Sequence, residues 1–354
     1  MDADKKLLKL INRVDKEKME ELLLENGHLS QLYTLSSKSR GRKRHEEPST
    51  WRTCFERDRD RILYSMAYRR LRDKAQVYIL PINANLTTRL VHTEEVYQVA
   101  YSICNFLGLN RTLAEAIARG HDVGHTPFGH VGEKVLTNLM RQYLDDDTYV
   151  FHHAKYGLEM VDRIEKDGEG LNLTEEVRDG ILKHTLGATG LKDATNLPFT
   201  PEGRVVMYAD KIAYTCGDLE DAVRVGVINR SDVPVSIIST LGDDKSQWLG
   251  NIIKDVVESS VEAQEVAFRG KCFEAFEELR AYMYANVYGS GEMREQRRKA
   301  ERAVQLVFQD VMEKNLKKME IKEAAQKTLD QVASMTDVTL TRYFRENFMP
   351  DGVF

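Results

Sequence analysis

Several things are scarce in this sequence. Seven prolines occur in 354 residues, and the four cysteines, Cys54, Cys104, Cys216 and Cys272, are scattered with no CxxC pair. So few prolines leave long helices uninterrupted. The cysteine spacing excludes a dense disulfide framework and predicts buried, reduced thiols. No run reaches the roughly 18 apolar residues of a membrane span. The opening stretch MDADKKLLKLINRVDKEKMEELLLE has neither an uninterrupted apolar core nor a small-residue cleavage site, which predicts a cytoplasmic protein with no membrane attachment. A GxxxxGK[ST] loop is missing, so phosphate recognition by a P-loop is not supported. The net charge of −5 argues against a globally basic nucleic-acid binder. One local run, SKSRGRKR at Ser37–Arg44, has five basic residues in eight; it leaves a polyanion or nucleic-acid contact open without requiring one.

What is present is helical. Hydrophobic residues make up 42% and charged residues 30% of the chain, and Leu, Glu, Lys, Arg and Ala recur at helical spacing. The pattern predicts an all-α fold with helices over residues 4–25, 58–77, 92–107, 110–118, 129–143, 153–165, from Thr174, and 201–225. Further candidates cover 246–268, 271–287, 290–313 and 319–333. The β-branched, turn-rich stretch VYILPINANLTTRL predicts a short hairpin or an irregular loop. Three regions follow: an N-terminal helix and linker (1–36), a core carrying the chemistry (37–230), and a C-terminal helical region packing on it (231–354).

The chemistry concentrates in RGHDVGHTPFGHVGE, Arg119–Glu133, which holds three of the nine histidines and four glycines. His92, His121, Asp122 and Asp210 each fall on or beside a predicted helix and form a candidate metal set. Imidazole with carboxylate suits Mn²⁺, Fe²⁺ or Zn²⁺, and a carboxylate-bearing site also accepts Mg²⁺. Asp210, Tyr214 and Asp218 repeat at i, i+4 and i+8, so they share one helix face, with Asp221 close to it. Carboxylates on one stripe repel unless a cation, a partner or water separates them. His130 and Glu133, at i and i+3 after Pro127, form a candidate general acid or base with its orienting carboxylate. His125 lies on the turn, and His152 and His153 complete the cluster, one of them expected to point outward. A solvated acidic face and surface histidines are the alternative reading of the same residues.

HDVGHTPFGHVGE, upstream RLVHTEEV and downstream YADKIAYTCGDLEDAV together resemble the HD-domain deoxynucleoside triphosphate triphosphohydrolases, the dGTPase-like family. SRGRKRHEEP, RTCFERDRDRILYSMAYRRLRDKAQVY, LRAYMYANVY and SMTDVTLTRYF extend the likeness over roughly residues 37–348. The resemblance implies an HD-domain helical core and a metal-dependent conversion of a dNTP into deoxynucleoside and triphosphate. It makes His92, His121, Asp122 and Asp210 the ligands of a divalent ion, Mn²⁺ or Mg²⁺ first. His130, supported by Glu133, becomes the catalytic histidine, with His125 and His153 near the α-phosphate. Arg89 and Lys211 would clamp phosphates, Gln76 and Asp218 would hold the sugar 3′-hydroxyl, and Tyr214 would pack where a 2′-hydroxyl clashes. Homo-oligomers and an allosteric dNTP also belong to what the likeness implies. The chain departs from the family pattern in RLVHTEEV, where many relatives carry serine after the histidine, in FHHAKYG, and in SMTD in place of GMTD. Another HD-type nucleotide phosphohydrolase, such as a nucleotidase or phosphodiesterase, and a catalytically idle nucleotide sensor are the competing readings.

Overall fold

The computed structural model describes residues 29–80, 83–185, 196–289 and 291–350, so the helix expected over 4–25 lies outside the described residues. Within them no strand forms: the chain is all-α, with short 3-10 turns and two isolated antiparallel bridges, Arg42↔Thr174 and Ala75↔Thr88. Helix α1 (Cys54–Leu63) opens with a reciprocal cap, in which Thr53 Oγ1 accepts from Glu56 N and the Glu56 carboxylate accepts from Thr53 N. The single helix expected over 58–77 instead breaks after Leu63. Ser65 Oγ accepts from Tyr68 N and starts α2 (Met66–Arg70), satisfying a first-turn N–H that has no partner inside the helix. Apolar periodicity continues across that break and hides it. In the stretch expected as a hairpin or loop, the described residues 77–80 and 83–88 form bends and a turn, and no hairpin forms among them.

Helix α3 (Arg89–Leu107) begins three residues before the expected His92, because the Thr88 hydroxyl caps Val91 N. Asn110 caps α4 (Arg111–Gly120) as the sequence predicts, accepting from Thr112 N and Leu113 N. There follow α5 (His130–Leu144), α6 (His153–Glu159), which runs on into a π-type turn, α7 (Glu175–Lys183) and the long α8 (Pro201–Arg224). Helix α8 packs along α3, α4 lies against both, and α1 and α7 flank α4. Val99 and Ile103 of α3, Leu113 and Ile117 of α4, and Val205 and Ile212 of α8 are buried between them. At about 1.5–3 kcal/mol for each large apolar side chain buried, this packing fixes the bundle and can carry polar groups at one open end.

The C-terminal third comprises α9 (Val235–Leu241), α10 (Lys245–Ala263), α11 (Lys271–Asn286), α12 (Gly291–Leu316), α13 (Ile321–Ala333) and α14 (Asp337–Phe348). The helix expected over 246–268 stops at Ala263, where Gln264 turns left-handed at φ +55°. Helices α9 and α14 have no counterpart among the sequence candidates. Helix α10 packs on α3 and α8, while α12 and α13 pack on α5. The C-terminal helices therefore support the helix that starts at His130.

Candidate active site

A sharp connection between α4 and α5 brings the chemistry together. Phe128 (φ +60°) and Gly129 (φ +59°) are both left-handed, and Thr126 Oγ1 donates to Gly129 O at 2.8 Å. A side chain at Gly124 would collide with the backbone of α6, so glycine there lets α6 press against the turn. Two buried charged residues pin the connection from outside. Asp337, at the start of α14, accepts from Phe128 N and Ala75 N, each at 2.9 Å. Lys74 Nζ donates to His125 O and, at 3.2 Å, to Ala333 O. Burial pulls the Lys74 ammonium down to about 7 against the pull of Asp337, with Arg70 adding to the drop.

The floor of the site lies beneath this turn. His92 Nε2 is 3.0 Å from Asp210 Oδ1, and His121 Nε2 is 3.5 Å from Asp122 Oδ1 and 3.6 Å from Asp210 Oδ1. His121 Nδ1 sits 2.6 Å from Ala118 O. A carbonyl only accepts, so Nδ1 carries the hydrogen and Nε2 presents a lone pair to the cluster. That Nε2 is fully buried and has no hydrogen-bond partner among the described residues. Buried polar atoms are normally satisfied. A lone pair left over among two carboxylates and a second imidazole is what a divalent cation would complete, so these four residues fit the metal the family likeness implies. Arg89 Nη1 holds Asp122 Oδ2 at 2.7 Å from the same side.

Beside the floor lies a second group, His125, His130, Glu133 and His153. Glu133 Oε1 is 2.8 Å from His153 Nδ1, 3.2 Å from His125 Nδ1 and 3.4 Å from His130 Nδ1. His125 and His153 are stacked at 3.8 Å between ring centres and are buried, whereas the His130 side chain is 78% exposed at the rim. Of the two adjacent histidines, His153 points in and His152 is only half-buried.

The electrostatics separate these groups. Burial alone would raise Asp122, but His125, His121 and Arg89 outweigh it and hold the carboxyl well below its usual range. Asp210 is likewise lowered, burial being overcome by His92 and His121, and Glu133 by His153 and its imidazole hydrogen bonds. Burial takes His125 down to about 3, helped by Arg89 and His153. It takes His184 to about 3 as well, with His121 and His153 contributing.

These residues open onto a cavity of about 1050 Å³. Of the fifteen residues singled out in the sequence, all but His121 and Asp221 line it, and His121 is buried among them. The far wall carries Lys211, Tyr214 and Asp218 of α8 with Tyr284 and Tyr288. Tyr288 Oη donates to Asp218 Oδ2 at 2.7 Å, and Arg280 Nε donates to Tyr214 Oη at 3.3 Å. Burial pushes Asp218 up to about 7, against the Tyr288 hydrogen bond and the pull of His92. Lys211 is drawn down to about 8 by burial, opposed by Asp210. Gln76 reaches the cavity with its Oε1 buried and unpartnered among the described residues. Asp221 instead accepts from Thr87 N at 2.8 Å and braces the loop before α3.

Sequence reasoning did not single out His184, Tyr284, Tyr288, Lys74 or Asp337. Tyr284, near the end of α11, and Tyr288, just past it, are an i, i+4 pair, a signal available in YMYANVY. His184 ends α7 much as His121 ends α4, a parallel visible only once both helices converge.

The HD domain family pattern matches residues 89–215, and that of the phosphohydrolase-associated domain matches residues 266–346. The chain is 40% identical over 338 residues to a deoxyguanosinetriphosphate triphosphohydrolase-like protein of Caldanaerobacter subterraneus subsp. tengcongensis, covering 94% of this chain and 95% of that one. It is 41% identical to the like-named protein of Desulfatibacillum aliphaticivorans, covering 93% and 96%. A hypothetical protein of Aquifex aeolicus with a solved structure aligns with 82% of this chain and 68% of its own at 18% identity and a TM-score of 0.47. Among the described residues no helix is long and apolar enough to cross a membrane. With its HD motif on the floor of the cavity and full-length relatives at this identity, the chain belongs to the HD-domain, deoxyguanosinetriphosphate triphosphohydrolase-like family of phosphohydrolases.

Proposed function

We propose that this chain hydrolyses a deoxynucleoside triphosphate to deoxynucleoside and inorganic triphosphate with the help of Mn²⁺ or Mg²⁺. The observation that supports this most is one cavity with a His/Asp floor, a His/Glu group beside it and a phenol-lined wall opposite. His92, His121, Asp122 and Asp210 would hold the cation. Bound there, a divalent ion neutralises charge on a phosphate oxygen and makes water a better nucleophile. Arg89 and Lys211 would take the polyphosphate, the first through its planar fork and the second as a point charge.

In the reaction, water oxygen joins the α-phosphorus, the bond from phosphorus to the 5′-oxygen breaks, and that oxygen leaves with a proton. His130 would give it, a role supported by Glu133 at 3.4 Å from His130 Nδ1 and by the exposure of the ring at the rim. His125 and His153 border the α-phosphate region. Gln76 and Asp218 would take the 3′-hydroxyl, with Tyr214 under the sugar, where a 2′-hydroxyl would clash.

Anion-exchange separation of products from each dNTP, alone and in mixtures with Mn²⁺ or Mg²⁺, tests the assignment. Triphosphate and deoxynucleoside are expected. Pyrophosphate or orthophosphate alone would move the chain to another HD-type nucleotide phosphohydrolase, and no turnover with any mixture would favour a sensor.

A further inference from the structure

The rim of the cavity carries charged groups that the hydrolytic chemistry leaves unused. Arg297 and Glu301, at i and i+4 on α12, line it together with Lys134 of α5. Arg297 Nη1 donates to Tyr288 O at 2.8 Å, which ties the guanidinium beside the tyrosine whose phenol holds Asp218. Its Nε and Nη2 hydrogens have no partner among the described residues. Glu301 Oε1 accepts from Lys134 Nζ at 2.9 Å, and its Oε2 likewise has no partner among them. A carboxylate repels a polyphosphate, so this end of the cavity does not extend the phosphate site. A fork of donors and a carboxylate one helical turn apart suit an uncharged edge that both accepts and donates.

We infer that Arg297 and Glu301 read the base of the nucleotide and select guanine. The inference rests on the reading above, in which the phosphates lie over the histidines and the sugar over Tyr214 beside Asp218. The base then extends past Tyr288 to the rim. Guanine presents two neighbouring acceptors, N7 and O6, followed by two neighbouring donors, N1–H and the 2-amino group. The Arg297 fork takes the first pair and the Glu301 carboxylate takes the second. Adenine has an amino group where guanine has O6, and its N1 is an acceptor that would face the carboxylate. Cytosine and thymine each bring a single donor group, so the carboxylate can be engaged only once. A buried or half-buried polar group left unpaired by the wrong base is what lowers affinity for it.

The full chain is given an equimolar mixture of the four dNTPs with Mn²⁺, and the deoxynucleosides released are separated by reversed-phase chromatography. Their ratio reads relative kcat/KM directly. The unaltered protein is expected to release deoxyguanosine roughly tenfold or more faster than deoxyadenosine. In Arg297→Met and Glu301→Gln that ratio is expected to fall to about threefold or less, through a raised KM for dGTP with kcat nearly kept. Against dITP, which lacks the 2-amino group, dGTP should lose its advantage in Glu301→Gln and keep it in Arg297→Met. Arg298→Met, an exposed neighbour on α12, controls for lost charge and should keep the full ratio. Turnover without a preference for dGTP overturns the inference and leaves the hydrolase reading standing. So does a preference that survives both variants, a loss shared by all four dNTPs, or an equal fall in Arg298→Met. No release from any dNTP overturns the hydrolase reading, and this inference with it.

Discussion

Carboxyls at the two ends of one cavity respond to burial in opposite ways. On the floor, Asp122 is buried and Asp210 partly so, yet imidazoles hold both carboxyls low, with Arg89 adding to the pull on Asp122. On the wall, Asp218 has a phenol for a partner and rises to about 7. Burial disfavours charge at both ends, and the neighbours decide the outcome. The floor thus keeps its carboxyls ionised, whereas Asp218 and the tyrosines of the wall offer neutral hydrogen-bonding groups beside the Lys211 ammonium. A ligand with a charged end and an uncharged, hydroxyl-bearing end fits that polarity, which is the physical case for a nucleotide lying with its phosphates over the histidines.

The largest expected effect comes from breaking the floor. Asp210→Ala removes the partner of His92 and a proposed ligand, and is expected to lose bound Mn²⁺ and to cut turnover by roughly a thousandfold or more, as the loss of several kcal/mol of charge stabilisation implies. Elemental analysis alongside product release checks it; full activity would take Asp210 out of the site. Next comes His130→Ala, which touches the rim and not the floor. Turnover is expected to fall by about 10²–10⁴-fold, the range for a general acid, with metal content unchanged. Loss of the ion in this variant would merge two groups that the geometry keeps apart.

Much of the candidate site was legible in the sequence because it is local. His121, Asp122, His125, His130 and Glu133 lie within one short stretch, and Asp210, Tyr214 and Asp218 repeat with the helical period along α8. What escaped is what the fold brings from a distance. Asp337 lies more than two hundred residues from Phe128, whose N–H it accepts, and nothing in SMTD announces that contact. The break at Ser65 was hidden for a different reason, since apolar spacing carries on through it. Asp337→Asn probes the distant support: it weakens the hold on the left-handed turn before His130 without touching the cavity. A fall in kcat of up to about a hundredfold with little change in KM is expected, the scale of an ångström-sized misplacement. A change confined to KM would show that the C-terminal region shapes binding and not the catalytic turn.

The smallest effect tests the wall through pH. The Asp218 pKa is about 7 in the folded chain, against an ordinary value near 3.8. Between those values the folded state holds a proton that the unfolded state has released. The contribution of this residue to stability is therefore complete below about pH 4 and is lost as pH rises through about 7. At about 1.4 kcal/mol per pKa unit, the loss is at most on the order of 4 kcal/mol. Asp218→Asn cannot ionise, so in chelator its stability relative to the unaltered protein should climb between pH 4 and 8, as read by urea unfolding at several pH values. Parallel curves would mean that Asp218 ionises normally and that the contrast between floor and wall is not electrostatic. Floor carboxylates carry the opposite sign: their contribution is present above about pH 4 and is lost on acidification. Reloading the metal sharpens the distinction, because a cation on the floor favours the ionised wall carboxyl. The window of Asp218 should then move to lower pH while the variant shows no such movement.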